Sequence, residues 1–284
     1  MKNSVSVILP TFNRCHTLPR AIDSVLNQSY DNLELIVVDD GSDDGTADLV
    51  TGYLKKSSRR ILFLQQDNSG PAAARNRGIN AASSDYLAFL DSDDWFHRDK
   101  LRLQMAAIRQ SPATAISHTG EVWYRRGRIL NQKHRHRKES GFLFDRCLEL
   151  CVIGMSTVML HRSIISRVGL FDEQLPCCED YDYWLRAAIH LPFLLLDRPL
   201  TFKDGGRADQ LSRIHRTGMD RYRIRAIVKI LESGMAAPQQ YRTAVRELAK
   251  KCSIYGNGCL KHGRIAEGKF YLALPEQFSM EEVP

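Results

Sequence analysis

The sequence predicts an α/β fold on a mostly parallel sheet, followed by a helical C-terminal appendage. Three observations carry that prediction. Short apolar runs alternate with amphipathic segments through the first 110 residues, two of those runs end abruptly in carboxylates, and from Met219 onward apolar residues recur at helical spacing.

Val5 to Pro10 reads as a first strand, stopped by Pro10 and the turn Thr11-Phe12-Asn13-Arg14. Leu18 to Gln28 places Leu18, Ala21, Ile22, Val25 and Leu26 on one helical face. Leu33 to Val38 is a second strand and ends in Asp39-Asp40-Gly41-Ser42-Asp43-Asp44. A helix over 47–55, a strand over 61–64, the turn Ser69-Gly70-Pro71 and a helix over 72–82 follow. Tyr86 to Leu90 is too short for a helix and apolar throughout, so it reads as a strand buried on both faces. Asp91, Ser92, Asp93 and Asp94 then fall at its carboxyl end, where open α/β sheets place ligands. Asp91 and Asp93 are two residues apart, a spacing that offers two hard oxygen ligands to one divalent cation beside a nucleotide diphosphate.

A helix over 99–110 and a strand over 113–124 running to a Gly127 turn come next. Helices over 142–151 and 163–168, a short strand over 157–160, and a helix opening at Glu179-Asp180-Tyr181-Asp182 complete the predicted domain. Acids in that first turn complement the helix dipole. Residues 1–214 are read as one domain, with 1–110 and 111–214 as its halves and 215–284 as the appendage, in which 254–272 has the spacing of a helical hairpin.

Composition excludes several classes. The 284 residues are 43% hydrophobic and 26% charged, enough for a full core, and no apolar stretch approaches the roughly 20 residues of a membrane span. With no signal-peptide pattern at Met1-Lys2-Asn3-Ser4, the expected compartment is the cytoplasm. The seven cysteines lack Cys-x-x-Cys pairs and read as reduced thiols, mostly in the core. Net charge is +7, with basic clusters at Lys133 to Lys138 and at Arg221, Arg223, Arg225 and Lys229. These suit an anionic partner, and peripheral association with the inner face of a membrane is the form expected; no nucleic-acid partner is expected.

Five segments stand in order: Val7 to Arg14 (Val-Ile-Leu-Pro-Thr-Phe-Asn-Arg), Val37 to Thr46 (Val-Val-Asp-Asp-Gly-Ser-Asp-Asp-Gly-Thr), Gly70 to Ile79 (Gly-Pro-Ala-Ala-Ala-Arg-Asn-Arg-Gly-Ile), Phe89 to Asp94 and Glu179 to Asp182. Together they resemble the family-two glycosyltransferases, mostly inverting enzymes of the A-type glycosyltransferase fold, over about residues 4–205. The resemblance implies a Rossmann-like sheet and transfer of a sugar from a nucleotide-sugar donor, uridine-linked by preference, to a carbohydrate or glycolipid hydroxyl in cell-envelope polysaccharide synthesis. It implies donor contacts from Pro10, Thr11, Asn13, Asp39, Asp40, Arg75, Asp91, Ser92, Asp93 and Arg207, with Asp40 preferred for the N3 proton of the base. Asp93, with Asp91, would hold Mn2+ or Mg2+, Asp180 would be the general base and Glu179 would orient it.

Of the neighbouring side chains, Asp94 is expected to cap the next turn, Asp182 to cap its helix and Trp184 to be core. Where some relatives supply a third metal ligand, often His, the loop Lys203 to Ser212 offers Arg207, a cation for the diphosphate on a flexible Gly205-Gly206 hinge. Two alternatives stay open: a non-catalytic nucleotide-sugar-binding protein of the same fold, and a sugar nucleotidyltransferase. The latter would need a glycine-rich loop after the first strand, which Pro10 to Arg14 is not.

Overall fold

The computed structural model describes residues 3–111, 113–207 and 209–278. Met1 and Lys2 of the N-terminal run, Ala208 of the loop after Gly206, and the end of the appendage from 279 lie outside the described residues.

The first half builds as its pattern dictates. β1 (Val5–Thr11), α1 (Leu18–Leu26), β2 (Leu33–Asp39), α2 (Thr46–Lys56), β3 (Arg60–Gln65), α3 (Gly70–Ala81) and β4 (Tyr86–Phe89) alternate, and the strands pair in parallel in the order β3-β2-β1-β4. Successive residues of β1 face opposite sides: Val5, Val7 and Leu9 join side chains of α1 and α2, with Leu101 and Met105, in one core, while Ile8 joins α3 in the other. That two-sided burial is why β1 and β2 are nearly uninterrupted in apolar residues. Inside the second core, Gly78 of α3 lies so close to β1 that an added Cβ would sit 2.5 Å from Ile8 Cγ2.

The second half is a mixed sheet. After β5 (Trp95–Phe96) and α4 (Lys100–Gln110) come β6 (Ile116–Arg125) and β7 (Arg128–Leu130), a hairpin turned at Arg126-Gly127. α5 (Phe144–Glu149), β8 (Met159–His161), α6 (Ser163–Val168), α7 (Glu179–Ala188) and β9 (Phe193–Gly205) follow. The sheet continues β4-β8-β6-β9-β5, with β6 and β9 parallel and the other new pairings antiparallel. The parallel character predicted for the sheet therefore holds for its first four strands and for one later pair.

Three strands, β5, β7 and β9, were not legible in the sequence. β5 is two residues long, and β9 is broken in register opposite Gly120, where Arg198-Pro199 interrupts its apolar pattern. Gly120 is required there, because a Cβ would meet the Arg198 carbonyl at 2.9 Å. Lys203, Asp204 and Gly205, expected in a mobile loop, are instead the paired end of β9, opposite Trp123, Tyr124 and Arg125.

The C-terminal residues are helical as expected: α8 (Leu211–Ile214), α9 (Met219–Glu232), α10 (Pro238–Lys261) and α11 (Ile265–Ala273). α10 and α11 form the expected hairpin through a close contact at Gly256 and Gly268. Ile224, Ile227 and Leu231 of α9, and Val245 and Leu248 of α10, belong to the same core cluster as α7, while Ala249 is exposed. No helix among the described residues is long and apolar enough to cross a membrane.

Candidate active site

Strand order reverses between β1 and β4: β2 and β3 extend to one side of β1, β4 to the other. In open α/β sheets that switch point is where a ligand crevice opens. Thr11 is in register with Asp39, and Asp39 with Gln65, while Ile8 pairs with Phe89 two residues before Asp91. Both acidic clusters thus end on one edge, as the sequence implies.

The two clusters use their carboxylates differently. Asp40 is buried and accepts hydrogen bonds from the backbone N–H of Ser69 (2.9 Å) and Gly70 (2.8 Å) and from Gln66 Nε2 (2.7 Å), so it holds the start of α3. Asp39 accepts from Ser42 N at 3.0 Å through Oδ1, and its Oδ2 has only a 3.4 Å contact with Gln65. Asn13, at φ 51°, locks this edge: its backbone N–H donates to Ser42 Oγ and its side-chain Oδ1 accepts from Asp43 N. Thr11 is buried beside Pro10 with its hydroxyl unpartnered among the described residues.

Arg75 joins the site together. From α3 its guanidinium binds Glu179, the first residue of α7, through Nη1 and Asp91 at 2.8 Å through Nη2, and it is almost wholly buried. Arg77, two residues on, is exposed. Burial alone would raise the Asp91 pKa, but Arg75 and Lys203 outweigh it and hold the carboxyl below its ordinary value. Glu179 goes the other way, because burial prevails over Arg75. Glu179 therefore fastens α7 to the end of β4 through Arg75, and no hydrogen bond links it to Asp180.

Asp180 is half-buried at the start of α7, behind Cys178 at φ 64°. Its Oδ1 accepts from Tyr181 N at 2.7 Å, and the Cys151 thiol donates to Oδ2 at 3.3 Å. Burial, then Asp180, pushes the Cys151 thiol well up, so it stays protonated and able to donate. Trp184 is core, as expected. Asp182 is not a cap: it is buried and paired with Arg186 (2.9 Å) and Lys229 of α9 (2.7 Å).

Asp93 is ion-paired to Arg207 through Oδ2, and Gln210 reaches the same oxygen at 3.3 Å. Arg207 Nη1 is buried with no hydrogen-bond acceptor among the described residues. Ser92 is buried between the acids. Asp94, expected to cap a turn, is instead buried, accepts from Ser156 Oγ at 2.7 Å and lies 3.8 Å from Lys203 Nζ. Burial raises its pKa well above the usual range. Lys203 is held charged despite burial by Asp94, Glu121, Asp91 and Asp93. Arg20 completes the rim, lying 3.8 Å over the Trp95 ring and donating to the Asp93 carbonyl (2.9 Å) and to Asp204 (3.1 Å). Lys203, Arg20, Ser156 and Cys151 carried no motif; only three-dimensional placement identifies them.

Among the described residues no three His, Cys, Asp or Glu side chains converge as a ready metal cage. Arg75 nonetheless takes only Oδ1 of Asp91, and Arg207 and Gln210 only Oδ2 of Asp93, and one or two carboxylates plus phosphate oxygens suffice for Mg2+ or Mn2+, so the residues fit such an ion. A cleft of about 930 Å3 lies elsewhere, along α3 between Gln65, Gln66, Arg77 and Glu173, and its lining includes none of Asp91, Asp93 or Asp180.

A switch-point crevice edged by two acid clusters and fixed cations is the place where an α/β domain of this kind opens to a ligand. The chain belongs to glycosyl transferase family 2, whose family profile matches residues 6–169. It is 37% identical over 185 residues to an uncharacterized glycosyltransferase of Rickettsia felis, covering 65% of this chain and 30% of that one. It is 38% identical over 169 residues to the putative teichuronic acid biosynthesis glycosyltransferase TuaG of Bacillus subtilis, covering 60% and 66%. The chain thus spans about a third of the Rickettsia relative's length and about two thirds of TuaG. Its fold is similar to that of S. aureus TarS 1–349 in complex with UDP-GlcNAc (TM-score 0.75, 20% identity, 96% of this chain and 79% of that one). It is also similar to the mannosyltransferase PcManGT of Pyrobaculum calidifontis in complex with GDP-Man and Mn2+ (TM-score 0.61, 16% identity, 97% and 86%).

Proposed function

We propose that this chain carries the catalytic unit of an inverting, metal-assisted glycosyltransferase. In this reading it moves a sugar from a uridine-linked nucleotide donor to a hydroxyl of a carbohydrate or glycolipid, at the cytoplasmic face of the cell envelope. The observation that carries the reading is the Arg75 bridge, which ties Asp91 on the donor edge to the first turn of the helix bearing Asp180. A donor acid fixed by one buried cation to the helix that carries a candidate base is the placement that a single displacement at an anomeric carbon needs.

Asp180 removes the proton of the acceptor hydroxyl as its oxygen attacks opposite the departing nucleoside diphosphate, and the Cys151 thiol holds the carboxylate in place. Asp39 accepts a hydrogen bond from the N3–H of the base, because Asp40 is committed to the start of α3. Thr11 and Asn13 border the nucleoside. Arg207, with its buried unpartnered Nη1, supplies a fixed cation to the diphosphate. Mn2+ or Mg2+ on Asp91 and Asp93 would neutralise charge on the leaving group. Residues 1–110 form the donor half, 111–214 the acceptor half, and the helices from 215 brace α7 through Lys229.

UDP-GlcNAc in the TarS complex and Mn2+ in the PcManGT complex favour the uridine donor and the metal, and the TuaG name favours an envelope polysaccharide. Seven free cysteines favour a reducing compartment. The test is Asp180→Asn, assayed as nucleoside diphosphate released from a panel of nucleotide sugars with Mn2+. Transfer falls by about 10²–10⁴-fold while calorimetric donor binding is unchanged. Near wild-type turnover in this variant would remove Asp180 as the base.

A further inference from the structure

The hairpin of β6 and β7 carries a surface that sugar transfer does not use. From Val122 to Lys138 the chain has seven Lys and Arg residues and no acid. Lys138 is spent on Glu121 (3.4 Å) and on the Val152 carbonyl. The side chains of Arg125, Arg126, Arg128, Lys133, Arg135 and Arg137 pair with no acid among the described residues, and all six residues are exposed. The second basic cluster is different: Arg223 pairs with Asp220, and Arg225 and Lys229 with Asp172, so that cluster is largely neutralised within the protein.

At the tip, Arg126 (φ 53°) and Gly127 (φ 74°) make a two-residue turn with both residues left-handed, the turn that matches the twist of a hairpin. Just past it, Ile129 and Leu130 are 66% and 43% exposed. Cations around projecting aliphatic side chains are the pattern of an element that settles into a lipid interface. The acids Glu121, Glu139 and Asp197 line a cleft at the foot of the hairpin rather than its tip. The hairpin is also joined to the site. Arg125 pairs with Gly205 and packs on Gly206, next to the Arg207 that binds Asp93.

We propose that this hairpin docks the protein on a bilayer containing anionic phospholipid and so holds the rim of the active site against the membrane surface. The aliphatic pair favours lipid over a soluble polyanion, to which Ile129 and Leu130 offer nothing. Docking itself is independent of the catalytic assignments; only its benefit, delivery of a lipid-carried acceptor, rests on them.

The experiment is flotation of the full chain with phosphatidylcholine vesicles, with and without phosphatidylglycerol, at low and moderate salt. The protein floats with the anionic vesicles only, and less at moderate salt. Arg126→Glu with Arg128→Glu lowers partitioning by more than about tenfold, since each cation near such a surface is worth roughly fivefold. Ile129→Ser with Leu130→Ser lowers it several-fold. Both pairs leave the thermal midpoint and calorimetric nucleotide-sugar binding unchanged, because these side chains are exposed and outside the site. Failure to float at low salt, or equal flotation with neutral vesicles, overturns the proposal. So does wild-type flotation of the Ile129/Leu130 variant together with displacement by dextran sulfate, which would make the patch a polyanion site.

Discussion

Arg75→Met is the perturbation that most directly tests how the site is assembled. Methionine keeps an unbranched apolar stem and removes the cation between Asp91 and Glu179. The Arg75 and Glu179 side chains are 6% and 7% exposed, so water cannot replace the lost partner. Removing one member of a buried ion pair costs about 3–5 kcal/mol. For 284 residues the unfolding entropy is about 0.6 kcal/mol/K, so the melting temperature falls by about 5–8 °C. The pH dependence has a definite sign. Glu179 already lies above its ordinary pKa through burial, and without Arg75 burial acts with less opposition. The folded state then keeps a proton that the unfolded chain releases, so stability falls as pH rises above the unfolded value. The deficit is therefore larger near about pH 8 than near about pH 5. Calorimetric melting at both pH values reads it, and Arg75→Met/Glu179→Gln recovers at least about 1 kcal/mol relative to the sum of the single changes. A loss below about 1 kcal/mol, or strict additivity of the pair, refutes the clamp.

Two further outcomes follow from the packing. His118 is buried, with Nε2 2.9 Å from the Glu139 carbonyl, and burial, then Lys138, pushes its pKa down to about 3. Its folded pKa is below its unfolded one, so its contribution is intact above about pH 6.5 and is lost as pH falls, amounting to about 2 kcal/mol by pH 5. Urea midpoints across that range measure it, and His118→Asn flattens the slope; an unchanged slope shows that the histidine does not resist charging. Gly78→Ala gains about 1 kcal/mol of helix propensity but drives a Cβ to 2.5 Å from Ile8 Cγ2. Overpacking of about 1–3 kcal/mol offsets or exceeds that gain, so the melting temperature stays level or falls, and a clear rise would show that α3 shifts freely on β1.

Much of the first half was legible because its signals are local. Strands buried on both faces must be continuously apolar, helices against them must repeat at 3.6 residues, and carboxylates cannot continue such a strand; 5–110 reads almost directly as β1 to α4. The second half was harder to read. β9 pairs with β6 from 77–80 residues away, across a bulge at Gly120, and no local pattern marks a strand interrupted by Asp197-Arg198-Pro199.

The sequence by itself determined which residue types gather at one sheet edge, since the ends of parallel strands are fixed by where apolar runs stop. What each acid does there was decided only by tertiary structure. Asp39 and Asp40 are adjacent and chemically identical, yet Asp40 is committed to the first turn of α3 while Asp39 keeps an oxygen with one long contact. Asp94 looks like a solvated cap and is a buried partner of Ser156 and Lys203. Glu179 looks like a companion of Asp180 and is the anchor of Arg75, 104 residues earlier. A charged side chain takes its role from the partner that offsets its desolvation, and those partners come from remote parts of the chain.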